Sequence, residues 1–269
     1  MIRRAVLVVL GLIWLGPTYL LLVNASRPAA SYDPASAWLP SGDFELLANF
    51  GRALESADLG QSLASTALYS FVSPLLGVVV GALAGYTIVV LRLRFGFWWF
   101  LLIFGGTVFP SQMLLVPLFV GYSDAGLYDT RLGMILVYTA INVPLAAFVL
   151  RNFYSGVAFS IFEAARMDGA STWRIFWRIY LPISTSALAA VFILEFTFIW
   201  NDLIFGLTLT TTENVRPVMT ALAGLMTDVY AGTPVPVALA AGLVCSLPTV
   251  LLFLATQRLF ARGLSLGSV

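Results

Sequence analysis

The stretch Ser65–Leu91, STALYSFVSPLLGVVVGALAGYTIVVL, contains no charged residue and is apolar or small almost throughout. About 20 such residues cross the roughly 30 Å hydrocarbon core of a bilayer as an α-helix, at 1.5 Å per residue. A helix is the form such a run takes, because lipid offers no partner for an exposed backbone group. Five further runs have the same character, giving spans near residues 5–23, 65–91, 97–120, 132–150, 183–209 and 237–259. The second and fifth exceed the bilayer thickness, so tilt or extra turns beyond the lipid are expected. The predicted fold class is an all-α membrane protein, a six-transmembrane-helix bundle forming a single domain over residues 1–269.

Composition agrees with this reading. Of 269 residues, 60% are hydrophobic and 10% are charged, against about a quarter charged in a soluble domain. A net charge of +1 gives no reason to expect a nucleic-acid partner. With no histidine and a single cysteine, Cys245, the chain lacks both a disulfide framework and the ligands of a zinc site, and no metal is expected. The first run is longer than a signal-peptide core and contains Trp14 and Pro17, so it is taken as a retained span.

The arginines orient the spans. If both termini are cytoplasmic, ten arginines lie inside (Arg3, Arg4, Arg92, Arg94, Arg151, Arg166, Arg174, Arg178, Arg258, Arg262). Only Arg27, Arg52, Arg131 and Arg216 lie outside. The positive-inside rule selects that orientation. Two long outer loops result, 26–61 with a short helix near Phe44–Leu54, and 210–236 with an apolar stretch Val218–Val229 on or dipping into the membrane surface.

The largest cytoplasmic feature, 151–182, contains Ser160-Ile-Phe-Glu163-Ala164-Ala165-Arg-Met-Asp168-Gly169-Ala170-Ser171. Ser160 and Glu163 have capping-box spacing, and Asp168-Gly169 is a helix stop. Ser171 or Thr172 is then placed to cap a second short helix, with Pro182 in the first turn of the next. One reading is a well-capped surface linker. The other is a docking helix, in which Ala164 and Ala165 admit a partner backbone and Glu163 meets a partner arginine.

Glu163-Ala164-Ala165, Gly169, Ile179 and Leu181-Pro182 stand at the spacing that resembles the EAA loop of ABC-importer permeases. The resemblance implies that Glu163, Ala164, Ala165, Asp168, Gly169, Ile179, Leu181 and Pro182 form a coupling element docking into an ATP-hydrolysing subunit. Phe109–Leu118, Trp200-Asn201-Asp202 and Gln257–Leu264 are similar to the maltose-type carbohydrate permeases, in particular the second permease of the pair. The implied protein is a bacterial or archaeal inner-membrane subunit that imports a small polar solute, a sugar by this resemblance. Its partners would be a second permease, two ATPase subunits and an extracytoplasmic solute-binding protein. ATP and magnesium would belong to the ATPase; this chain has no phosphate loop and no lysine, so no cofactor of its own and no enzymatic activity are expected. An importer of another polar solute, such as glycerol phosphate, is the near alternative. An ion-coupled secondary transporter is more distant, since such proteins show inverted repeats and several intramembrane ionisable groups.

Within the spans, Glu195 and Asn142 fall at comparable depth. They are either a polar lining of the solute path or buried groups hydrogen-bonded to neighbouring helices. Asn201 and Asp202 lie nearer the outer end, where they meet a solute or the headgroup layer. Ser73, Gly77, Gly81 and Gly85 recur every four residues and make a smooth face for close helix approach, inside the subunit or against the partner permease.

Overall fold

The computed structural model describes residues 2–108 and 110–265, and every regular element among them is a helix. The chain opens with α1 (Ile2–Ala25), passes through an outer segment containing α2 (Leu46–Glu55), and enters α3 (Leu59–Val89). Two ten-residue helices follow, α4 (Gly96–Gly105) and α5 (Leu115–Asp124), then the long α6 (Arg131–Ser155). Next come α7 (Ser160–Met167), α8 (Thr172–Ile175), α9 (Leu181–Ile183) and α10 (Thr185–Trp200). The chain continues through α11 (Ile204–Leu209) and α12 (Val218–Asp228) into α13 (Val235–Ser265).

The closest helix pair is α3 with α6, and the small-residue face of α3 causes it. A methyl group added at Gly81 would sit 2.6 Å from the Ala147 backbone nitrogen, and one at Gly85 2.8 Å from that of Arg151. Ser73 continues the face, donating its hydroxyl to the Ile135 carbonyl at 3.3 Å. The stripe is therefore consumed inside the subunit. Around this pair, α10 packs on both α3 and α6, α13 packs on α10, and α1 lies outermost against α13. Apolar side chains such as Leu12, Ile13 and Trp14 of α1 and Leu251 and Phe253 of α13 are exposed, which suits a lipid-facing surface.

Two expected spans take a different form. The 97–120 run is not one helix: α4 stops at Gly105, where the Gly106 N–H caps the carbonyls of Ile103 and Phe104, and Pro110 cannot continue a helical hydrogen-bond ladder. A 3₁₀ turn over Ser111–Leu114 then leads into α5. Phe100 and Phe104 stack on Phe148 at the far end of α6, while Leu115, Leu118 and Tyr122 pack with Met134, Val137 and Tyr138 near its start. Each piece is about 15 Å long, so together they run antiparallel along α6 as one interrupted crossing. The 183–209 run is also broken. The segment Thr172–Ile183 meets α10 at a 75° bend, and α10 ends at Trp200. Among the described residues, four helices are long and apolar enough to cross alone (α1, α3, α6, α13), and the count reaches five if the bent pair is taken as one span.

The bundle end opposite α7 is closed by hydrogen bonds. Buried Arg27 donates to the Ser36 hydroxyl at 2.6 Å and to the Leu39 carbonyl at 2.6 Å, and Asn49 donates to the carbonyls of Ala25 and Arg27. The 210–217 segment is fixed by Tyr69 and Ser65 of α3, which donate to the carbonyls of Val215 and Asn214. The apolar stretch that begins at Val218 is α12. It does not lie free on a surface: Val218, Ala221 and Leu225 are buried against α3 and α13.

Candidate functional site

Helix α7 projects from the α3–α6 end as a short amphipathic rod. Ala165 is buried, while Glu163, Ala164, Asp168 and Gly169 are exposed. Among the described residues Glu163 has no ion pair. The expected capping box is absent: Phe159 is the N-cap residue, no side chain caps the helix, and Ser160 is already its first turn. The stop is as anticipated. Gly169 takes φ +77°, its N–H reaches the Arg166 carbonyl, and the Ala170 N–H reaches that of Ala165, a complete Schellman closure. Ser171 then caps α8, accepting from the Arg174 N–H at 3.3 Å.

Beyond α8 the chain makes a turn of π-helix over Phe176–Tyr180. Pro182 explains it, since proline has no N–H to give the carbonyl four residues back and its ring crowds that turn. The widened turn brings Phe176 and Tyr180 inward. Tyr86 at the end of α3 meets Tyr180 at 5.1 Å and Phe176 at 5.2 Å between ring centroids, and Tyr154 at the end of α6 meets Tyr180 at 5.6 Å. The Tyr86 hydroxyl donates to the Thr172 carbonyl at 3.0 Å. At the bend, the Ser184 hydroxyl donates to the Tyr180 carbonyl at 2.8 Å and stands 3.3 Å from the Tyr154 hydroxyl. Ile179 and Leu181 pack on the same cluster, and Pro182 is exposed. The 160–182 segment is thus gripped by both long helices and joined directly to α10.

Further along α10 lies the second candidate region. A cavity of about 720 Å³ opens between α5, α6 and α10, with Asn142 and Glu195 in its wall beside Thr107, Gln112 and Phe198. Glu195 is 1% exposed and Asn142 4%. A methyl group at Gly77 would fall 3.4 Å from Glu195 Oε2 and 3.0 Å from Asn142 Cβ, so α3, α6 and α10 converge there. The other two residues expected on a solute path lie elsewhere. Asn201 turns back to the Thr197 carbonyl at 2.8 Å. Asp202 accepts from the Tyr138 hydroxyl at 2.9 Å and from the N–H groups of Phe205 and Gly206, so it caps α11 and ties it to α6. Neither lines the cavity.

Residues 77–266 match the family described as binding-protein-dependent transport system inner membrane component. The chain belongs to that family. The permease is 32% identical over 254 residues to the melibiose/raffinose/stachyose import permease protein MelC of Bacillus subtilis (strain 168), covering 94% of this chain and 90% of MelC. It is 34% identical over 203 residues to the trehalose transport system permease protein SugB of Mycobacterium tuberculosis (strain CDC 1551 / Oshkosh), covering 74% and 72%. Its backbone superposes on a chain of a bacterial ABC transporter involved in the import of the acidic polysaccharide alginate, with a TM-score of 0.73, 22% identity, and 96% and 94% coverage. At that identity the likeness shows the shared fold. The permease is a membrane-embedded transport component and not an enzyme.

The features that sequence reading missed in the permease are tertiary. The grip of Tyr86, Tyr154 and Tyr180 joins residues far apart in the chain, and only the apolar face of the 172–180 segment hinted at it. Of the motifs similar to maltose-type permeases, Phe109 and the side chains of Gln257–Leu264 lie outside the described residues.

Proposed function

We propose that the permease is one of two membrane subunits of an ATP-driven, binding-protein-dependent carbohydrate importer, and that α7 is its contact with the ATPase. The observation that carries this reading is a solvent-exposed Glu163-Ala164 face on a helix held by a buried aromatic cluster. An exposed short helix gains little stability by itself; its fixed presentation suits a partner that pushes on it. The carboxylate offers a charge-assisted contact to an arginine, and Ala164 allows close backbone approach.

In this reading, ATP and magnesium are held by two copies of an ATPase at the α7 end, which is cytoplasmic. The arginine count supports both termini on that side. The opposite end, with the Arg27-ordered segment and the 210–217 loop, receives the solute-binding protein. A push on α7 moves α8 and α9 with it, and the Ser184 bend passes that motion to α10, whose Glu195 stands in the cavity wall. Rocking against a second permease then exposes the cavity alternately to the two sides. The carbohydrate assignment is supported by the names of MelC and SugB.

The test is recovery of tagged protein in mild detergent, followed by mass spectrometry of the proteins that remain bound. An ATPase subunit and a second permease are expected in the complex. A chain recovered alone, in a detergent that keeps other importers intact, would contradict the assignment.

A further inference from the structure

Arg92 and Arg94 are the only charged residues between Asp58 and Asp124, and both are exposed in the turn that joins α3 to α4. Neither makes an ion pair among the described residues; Arg92 rests on the Phe159 ring at 4.0 Å and Arg94 on the Phe95 ring at 5.0 Å. Beside this turn α3 and α4 touch at Gly96, where an added methyl group would fall 3.2 Å from Ile88 Cγ2. Further along, α4 leans on α6 instead, through Phe100 and Phe104 against Phe148, and a groove of about 340 Å³ stays open between α3 and α4. Val80, Ala84, Ile88, Trp99 and Ile103 belong to its walls. The hydroxyl there, on Thr87, turns back to the Leu83 carbonyl at 2.8 Å and leaves the lining apolar.

We propose that this groove seats one anionic phospholipid of the leaflet at the α7 end, with an acyl chain between α3 and α4 and the headgroup on Arg92 and Arg94. The proposal needs only the membrane setting and stands apart from the importer reading. From Val80 to Ile88 the groove runs about 12 Å along α3, most of the roughly 15 Å that one leaflet contributes to the hydrocarbon core. A spanning helix of another subunit would need a seam through both leaflets, whereas α4 stops at Gly105. The cations at the mouth choose the headgroup: a guanidinium pairs with phosphate oxygens, and a lipid with net negative charge is drawn more strongly than a zwitterionic one. Exposed Trp98 and Trp99 sit in the first turn of α4 beside the arginines, as tryptophans do at the headgroup layer. Phe159, on which Arg92 rests, is the N-cap residue of α7, so the headgroup would border the base of that exposed helix.

The experiment uses proteoliposomes holding the permease with its co-purified subunits, and phosphatidylglycerol or phosphatidylcholine carrying the same photoreactive diazirine in mid-chain. Labelled positions are read by peptide mass spectrometry. Phosphatidylglycerol should label the 80–88 and 99–103 segments several-fold more than phosphatidylcholine. The double variant Arg92→Gln/Arg94→Gln should erase that preference, while Arg174→Gln/Arg178→Gln, which removes the same charge from the same end, should keep it. Equal labelling by the two lipids overturns the proposal, leaving ordinary lipid contact. Absence of label from these segments also overturns it, since another subunit then covers the groove. Loss of the preference in both double variants overturns it in favour of the general positive field of that end.

Discussion

At Gly81 an added methyl group has backbone, not a flexible side chain, in its way. Gly81→Ala should therefore force α3 and α6 apart and destabilise the permease by about 1–3 kcal/mol, the usual cost of overpacking. Gly11→Ala in α1 is the control, since nothing lies within 4 Å of the added carbon. Melting temperatures in one detergent should separate the two, with Gly81→Ala alone lowered. Asp129 shows a different residue-scale effect. Partial burial pushes its carboxyl up, but hydrogen bonds from the backbone and side chains of Thr211 and Thr212 outweigh that and hold it below the ordinary carboxylate range. A carboxyl depressed in the folded state contributes its stability fully above the unfolded value of about 3.9 and loses it as pH falls through the folded value. The 210–217 loop should thus stay protected from hydrogen exchange at neutral pH and loosen only under strong acid. Asp129→Asn should show weakened protection already at neutral pH. The glycine stripe was legible because its four-residue period is local. The Asp129 contacts were not, because they join residues more than 80 positions apart.

Among the elements, the 160–182 segment was the most legible from sequence and was still misread at its start. Gly169 carries the helix stop through its positive φ, a constraint that only the backbone imposes. Ser160 and Glu163 had the spacing of a capping box but stand within the helix, one position too late. Gly169→Pro forbids the positive φ, so it should abolish solute uptake while the chain still inserts in the membrane. Uptake and membrane abundance measured on the same cells check this. Tyr86→Ala removes the ring that holds both Phe176 and Tyr180. Truncation of a buried aromatic costs about 3–5 kcal/mol, and here much of that falls on the grip at α8. ATP hydrolysis by the reconstituted complex should persist while transport per ATP drops. Hydrolysis and transport falling in equal proportion would argue against the grip as the mechanical link. The break between α4 and α5 was signalled by Gly105, Gly106 and Pro110, but hydropathy averages over such residues and reported one continuous span. Similarly, Asp202 near a span's outer end reads from sequence as meeting a solute or the headgroup layer, and its bond to Tyr138, 64 positions away, is not visible locally.

Over the whole molecule, the order α1, α13, α10, α3, α6 with α4 and α5 beyond is set by where smooth and bulky faces meet, which no single segment reveals. Composition and arginine placement were enough for the membrane class and a proposed orientation. Cavity formation depends on three helices arriving at one depth, so Asn142 and Glu195 could be paired from sequence only as polar residues at similar height. The central claim is that α7 passes the work of an ATPase to the α3, α6 and α10 helices. Its most direct measurement is ATP-dependent uptake of a neutral disaccharide by proteoliposomes holding the complete importer, with the native permease and with Glu163→Lys. The charge reversal lies on an exposed face and should leave the permease folded, yet it should lose ATPase co-purification and uptake together. Uptake by Glu163→Lys at the native rate would contradict the account.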